Sequence, residues 1–327
     1  MTARRRLQTV RSYDLGPTRL AVAAEHEGLL EGFERFLGER GGPDIVAPTF
    51  SVAIRADEPE PLPAGAERLY SGPLPNEGSC DFARVGRTYF MSFPGEARMV
   101  VDPDARRAEI VVSRDCPWRA YGSMVPIAVE FALDLDDQQV VHAAGLSLPG
   151  EGGMVLVSAP SGTGKTTTAL ALARCGLPLA ADDVVVLRRA SASIVAWGLP
   201  RALHVHRDTA AMLPWLKLQP EWNDEGEQMV RRRHLAPALA LEDRELPVTR
   251  LVLLQRGARS AIEPLEATEM LAALAADNVR GSTSGLTPLQ ERRFMMLANL
   301  VRAVPACRVT IAPGLSGIGA IAAGLGR

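Results

Sequence analysis

The chain has 327 residues, with 36 basic and 38 acidic side chains, a formal charge of -2 and a hydrophobic content of 47%. That length suits two ordinary domains or one enlarged α/β domain, and the composition is that of a folded protein, not a disordered one. With no overall positive field, broad electrostatic binding to nucleic acid or to an anionic membrane is excluded.

The opening Met1-Thr-Ala-Arg-Arg-Arg is basic, but polar residues follow in place of an apolar run, so no signal peptide is expected. Residues 1–119 read as a β-rich N-terminal domain with a substrate-binding or regulatory role. Short alternating runs at 19–23, 50–54 and 68–70 are separated by Pro/Gly punctuation, and a helical run at 29–39 interrupts them. Two hairpins are predicted, turning at Val85-Gly86 and at Asp102-Pro-Asp-Ala.

Near residue 119 the texture changes, and 120–327 reads as a second, α/β domain. A helix is predicted over Met124–Leu133, then a strand over Val140–Leu148, a turn at Pro149–Gly153 and a second strand from Met154. With Leu148 opposite Met154, His142 falls opposite Pro160, beside the loop that follows. A strand at 184–187, a helix near Thr209, a polar irregular stretch over 219–247, a strand at 248–255 and a helix at 267–277 come next. The last helix starts at Thr287 as N-cap with Pro288 behind it, runs to about Ala303, and carries Leu297, Leu300 and Val304 as a core stripe. Thr310–Gly326 is apolar, but Pro313 and repeated glycines argue against a membrane span. Cys80, Cys116, Cys175 and Cys307 lie far apart, as unpaired thiols in a reducing cytoplasm do.

The chemistry concentrates at Ala159-Pro-Ser-Gly-Thr-Gly-Lys-Thr166, placed after an apolar strand and before a helix from Thr167. This is the pattern of a phosphate-binding loop with alanine in the first glycine's place. Ser161, Gly162, Thr163, Gly164, Lys165, Thr166 and Thr167 are the candidate nucleotide-binding residues. The glycines let backbone N–H groups converge on phosphate oxygens, the helix N-terminus favours negative charge, Lys165 reaches the β/γ-phosphates and Thr166 ligates Mg²⁺. Only Lys165 and Lys217 are lysines. A bias towards arginine accounts for most of that, and a lysine retained in this slot fits a need for a compact ammonium on a slim stem.

Asp182 and Asp183 follow a helix of about ten residues, which rises roughly 15 Å, and a strand that returns a similar distance. The doublet therefore comes back to the phosphate end, one carboxylate suited to Mg²⁺ and the other to an attacking hydroxyl's proton. Together with Thr166, Asp183 is placed in the candidate Mg²⁺ set; which aspartate acts as base stays open at this level.

His142-Ala-Ala-Gly-Leu, Ser158-Ala-Pro-Ser-Gly-Thr-Gly-Lys-Thr-Thr-Thr and Leu179-Ala-Ala-Asp-Asp together resemble the catalytic domain of HPr kinase/phosphorylase, and more closely the HPr-kinase-related proteins. The match covers residues 140–187. It implies an α/β P-loop kinase domain of the HPr kinase/phosphoenolpyruvate carboxykinase type, using ATP and Mg²⁺ to phosphorylate a serine of a peptide or small protein. It further implies Lys165, Asp182, Asp183 and His142 as catalytic residues, a cytoplasmic location, no nucleic-acid or membrane partner, and compatibility with a homo-oligomer. The family's later glycine-rich signature is absent, which puts HPr itself in doubt as substrate. Two alternatives stand beside this reading: a kinase for a small hydroxylated molecule, and a non-catalytic ATP-dependent switch.

Arg201, Arg231, Arg232 and Arg233 are secondary candidates for contact with phosphate or an acidic substrate; a solvated charged loop explains the arginine run equally. His204 and His206 share a strand face but lack a third metal ligand at a suitable spacing.

Overall fold

The computed structural model describes residues 9–37, 41–42, 47–74, 78–115, 123–150, 152–191, 193–199, 202–230, 235, 239, 244–279 and 286–326. The protein is mixed α/β and divides into two compact units, Met1–Gln138 with Gly281–Thr287, and Gln139–Arg280 with Pro288–Arg327.

The first unit contains β1 (Thr9–Leu15), β2 (Thr18–Ala24), α1 (Glu31–Leu37), β3 (Gly41–Gly42), β4 (Phe50–Ala56), β5 (Glu67–Leu74), β6 (Gly78–Val85), β7 (Thr88–Phe93), β8 (Ala97–Asp102), β9 (Arg107–Val112) and α2 (Met124–Asp134). Its strands form one nine-stranded sheet in the order β3-β1-β2-β4-β9-β8-β7-β6-β5. Period-2 burial drives it: Ala97, Met99 and Val101 of β8 are buried while their neighbours along the strand are half-buried. Both predicted hairpins are present, Val85 facing Thr88 and Asp102 facing Arg107.

The division falls after α2, whereas the sequence places the boundary near 119 and gives this helix to the second domain. Packing explains the difference. Phe131 meets the Tyr89 ring at 5.0 Å, and just beyond the helix Asp136 accepts hydrogen bonds from Thr18 and Thr49 and pairs with Arg106. Gln138 closes the unit by donating to the Leu15 carbonyl at 2.9 Å.

The second unit is built from β10 (Gln138–Val141), β11 (Ala144–Ser147), β12 (Met154–Ser158), α3 (Lys165–Arg174), β13 (Leu179–Ala181), β14 (Val185–Arg189), β15 (Ile194–Gly198), β16 (Leu203–His206), α4 (Arg207–Met212), β17 (Glu227–Val230), β18 (Leu246–Arg256), β19 (Ala261–Pro264), α5 (Ala267–Asn278), α6 (Pro288–Ala303), β20 (Ala306–Ile311) and α7 (Ile318–Leu325). The main sheet runs β10-β14-β15-β18-β12-β11-β13, with β20 on β18 and β19 on β20. At its centre β12 lies between antiparallel β11 and parallel β18. All five β12 residues are buried because both faces are covered. Val155 and Val157 pack towards Leu170 and Leu172 of α3 and Leu325 of α7; Met154 and Leu156 pack towards Leu274 of α5 and Leu297 of α6.

Three expectations change in detail. The strand predicted over 140–148 is interrupted at His142-Ala143: β10 pairs with β14, whereas β11 pairs with β12 and β13. The register is offset by one, with Ser147 rather than Leu148 opposite Met154. There Leu148 N–H instead bonds the Gly153 carbonyl at 2.8 Å, closing the turn. Lastly, the stretch 219–247 is not wholly irregular, since it contains β17, which pairs with β16. Among the described residues no helix is long and apolar enough to cross a membrane, and Cys80, Cys175 and Cys307 are free thiols.

Candidate functional site

The loop after β12 turns through Gly162 and Gly164, whose φ values of 75° and 97° are left-handed. Gly164 is the N-cap of α3, so the loop delivers the chain into that helix with its first N–H groups directed out of the sheet edge. Loop and helix start line a cavity of about 470 Å³, which also takes in His142, Asp182 and Asp183. The helix-and-return geometry derives from α3, which is capped at Cys175 and followed by Gly176 at φ 98°. β13 then leads back to the aspartates. It packs so closely under β15 that a Cβ on Gly198 would lie 2.2 Å from the Ala180 carbonyl oxygen.

The two aspartates separate by backbone geometry. Asp183 has φ 66°, and Val184 N–H bonds the Asp182 carbonyl at 2.7 Å, an i to i+2 closure characteristic of a γ-turn. Such a conformation costs a non-glycine residue about 1–3 kcal/mol. It sends adjacent carboxylates to different partners. Asp182 accepts the Thr166 hydroxyl with both oxygens, each at 3.1 Å. Asp183 Oδ1 lies 3.0 Å from Lys165 Nζ and 2.8 Å from His142 Nε2. Thr166 is therefore coupled to Asp182, whereas the γ-turn aims the carboxylate of Asp183, which the sequence reading groups with Thr166 as the Mg²⁺ set, at Lys165 and His142.

Electrostatics follow from this arrangement. Lys165 is buried, its side chain 9% exposed, while Asp183 is half exposed. Burial pushes the Asp183 carboxyl up, but the His142 hydrogen bond and the Lys165 ammonium outweigh it and hold the group well below the usual carboxylate range. Asp183 is thus ionised at neutral pH.

His142 sits at the strand break, not within a continuous strand as expected, and its imidazole still reaches the cavity. Thr167 is buried and exchanges a hydrogen bond with Thr209 of α4 at 2.7 Å, so its side chain ties α4 to the loop helix. Ser161, Gly162 and Thr166 line the cavity, and Thr163 contributes its carbonyl to the loop's support. Arg201, Arg231, Arg232 and Arg233 lie outside the described residues. His204 and His206 also line the cavity, where they share Glu227 at 3.4 and 2.8 Å. Among the described residues no group of three or more ligand-type side chains is arranged to hold a metal.

Sequence reasoning missed Arg256. It ends β18, whose parallel pairing with β12 brings that end beside the loop. Its Nε donates to the Thr163 carbonyl at 2.9 Å and Nη2 to the Gly162 carbonyl at 3.2 Å. Its guanidinium thus braces the glycine-rich turn and adds positive charge to the cavity wall. The available signal was an arginine closing an apolar strand, since ligands in α/β sheets gather at the carboxyl ends of strands.

No protein-family model matches the chain, and no curated protein matches it. Among solved structures it is similar to the Hpr(Ser) kinase/phosphatase from Coxiella burnetii, at 15% identity and a TM-score of 0.30, over 57% of this chain and 87% of that one.

Proposed function

We propose that the second unit is a P-loop kinase domain of the HPr-kinase-related type, which transfers the γ-phosphoryl group of ATP to a serine hydroxyl of a peptide or small protein. The observation that carries the reading is the division of labour around the loop: Thr166 with Asp182 on one side, Lys165 with Asp183 and His142 on the other. The donor set fits the nucleotide: a left-handed glycine turn, a buried ammonium and a helix N-terminus are the parts that hold polyphosphate. The hydroxyl–carboxylate pair fits Mg²⁺, a hard cation that takes oxygen ligands.

When bound, Mg-ATP supplies the transferable phosphoryl group and the metal charge that offsets its negative oxygens. Thr166 and Asp182 would hold the metal, Lys165 and the loop N–H groups the phosphates. Arg256 holds two of the loop carbonyls by donating to them, which keeps both oxygens engaged. Asp183 would accept a hydrogen bond from the acceptor hydroxyl, aligning it for in-line attack, and take its proton as the new O–P bond forms and the bond from the γ-phosphorus to the departing ADP oxygen breaks. A carboxylate held this low is a weak base, so orientation is its main contribution. His142 and Lys165 fix its position.

The test is mass spectrometry of candidate acceptor peptides, including those encoded beside the gene, after incubation with Mg-ATP and the protein. A serine-containing product heavier by about 80 Da, absent with Asp183→Asn, is expected. Phosphorylation confined to free metabolites, or ATP binding with no product from any acceptor, would overturn the proposal.

A further inference from the structure

The interruption between β10 and β11 poses a problem of placement. The chain changes pairing partners at His142-Ala143, leaving the sheet ladder at the residue whose imidazole must meet Asp183. A side chain from a distant helix meets it there. Asn278, the last residue of α5, accepts the His142 backbone N–H on Oδ1 at 2.7 Å. Its amide donates in turn from Nδ2 to the Leu274 carbonyl at 2.8 Å, one helical turn back. The two bonds fix which way the amide faces: the oxygen towards His142, the nitrogen towards the helix. Leu274 is fully buried in the core on that face of the sheet, so the anchor of this link is rigid.

We propose that Asn278 is the positioning residue of the His142–Asp183 pair. It touches no reacting atom. Its oxygen fixes the His142 backbone where the strand ladder does not, and so sets the 2.8 Å approach of Nε2 to Asp183. A helix-terminal asparagine suits this role because it is short and carries both a donor and an acceptor on a rigid plane. It also sits where α5 ends, with Val279 already extended. The inference deepens the kinase reading and rests on it only for the rate measurement.

The experiment compares Asn278→Leu and Asn278→Asp with the full-length parent. NMR of the His142 ring, identified by the signals that vanish in His142→Ala, is read first and requires no substrate. Asn278→Leu should move these signals towards their positions in Asp183→Asn. Asn278→Asp, which keeps an acceptor for the His142 N–H but loses the donor to the Leu274 carbonyl, should move them less than Asn278→Leu does. In the transfer assay, Asn278→Leu should lower kcat about tenfold, the scale of one hydrogen bond, with KM for ATP unchanged. In a His142→Ala background the same substitution should add little. Ring signals that stay fixed in Asn278→Leu, equal effects of the two variants, or a rate loss that adds in full to that of His142→Ala would overturn the assignment. Ring signals that move as described in a protein with no phosphotransfer would support the positioning role and count against the kinase reading alone.

Discussion

Each of the two units contains a nine-stranded sheet and an aspartate paired with a cation, and the two aspartates have opposite fates. In the first unit Asp136 meets Arg106, Thr18 and Thr49, and its side chain is 16% exposed. Both its oxygens are occupied within the sheet's own framework. In the second unit Asp183 meets Lys165 and His142 through one oxygen, Oδ1, and lies half exposed on a cavity. Similar partners thus give a structural strut in one place and a chemically available carboxylate in the other. What separates them is saturation: Asp136 is surrounded by donors, whereas the strained γ-turn holds Asp183 where one face stays open.

The sharpest way to break that contrast is Lys165→Arg. The lysine ammonium is buried and held on Asp183, a compact point contact that a planar guanidinium on a longer stem would not reproduce, so phosphotransfer should fall by roughly 10²–10³. Lys217→Arg should be nearly silent, because Lys217 is exposed and outside the cavity lining. Steady-state rates of the two variants decide the matter. Arg256→Ala comes next: releasing the Gly162 and Thr163 carbonyls should weaken ATP binding by about tenfold, the scale of a charge-assisted hydrogen bond, as read by calorimetry.

Asp136→Asn sharpens the comparison from the other side. It should cost about 1–3 kcal/mol of stability in urea unfolding, while turnover per folded molecule is unchanged. The smallest effect concerns acid. Because the folded carboxyl of Asp183 is depressed, its contribution to stability is full above the unfolded value of about 3.9 and fades as pH falls below it. Parent and Asp183→Asn should therefore differ in thermal midpoint at neutral pH, and the difference should narrow towards about pH 3.

The loop motif, its helix and the return of Asp182-Asp183 to the loop were legible in the sequence because they are local: 25 consecutive residues, from Ala159 to Asp183, encode them through glycine placement and strand and helix length. The different partners of the two aspartates were not legible, since identical side chains are told apart only by the backbone turn at Asp183. His142 was reached by a register argument that was off by one, and its true setting is a break between strands. Arg256 and Asn278 were invisible for a different reason. They lie 93 and 136 residues from the groups they hold, and only sheet order and helix packing bring them there. The division after Gln138 was not legible because α2 is apolar at helical spacing, which shows that it packs but not against what.

The most direct test sets Asp182→Asn beside Asp183→Asn and measures ATP affinity with and without Mg²⁺, together with phosphotransfer. Asp182→Asn should lose the Mg²⁺ dependence of binding; Asp183→Asn should keep it and lose transfer by about 10²–10⁴. Parent-like transfer in Asp183→Asn, or Mg²⁺ dependence lost in that variant and kept in Asp182→Asn, would contradict the division of roles.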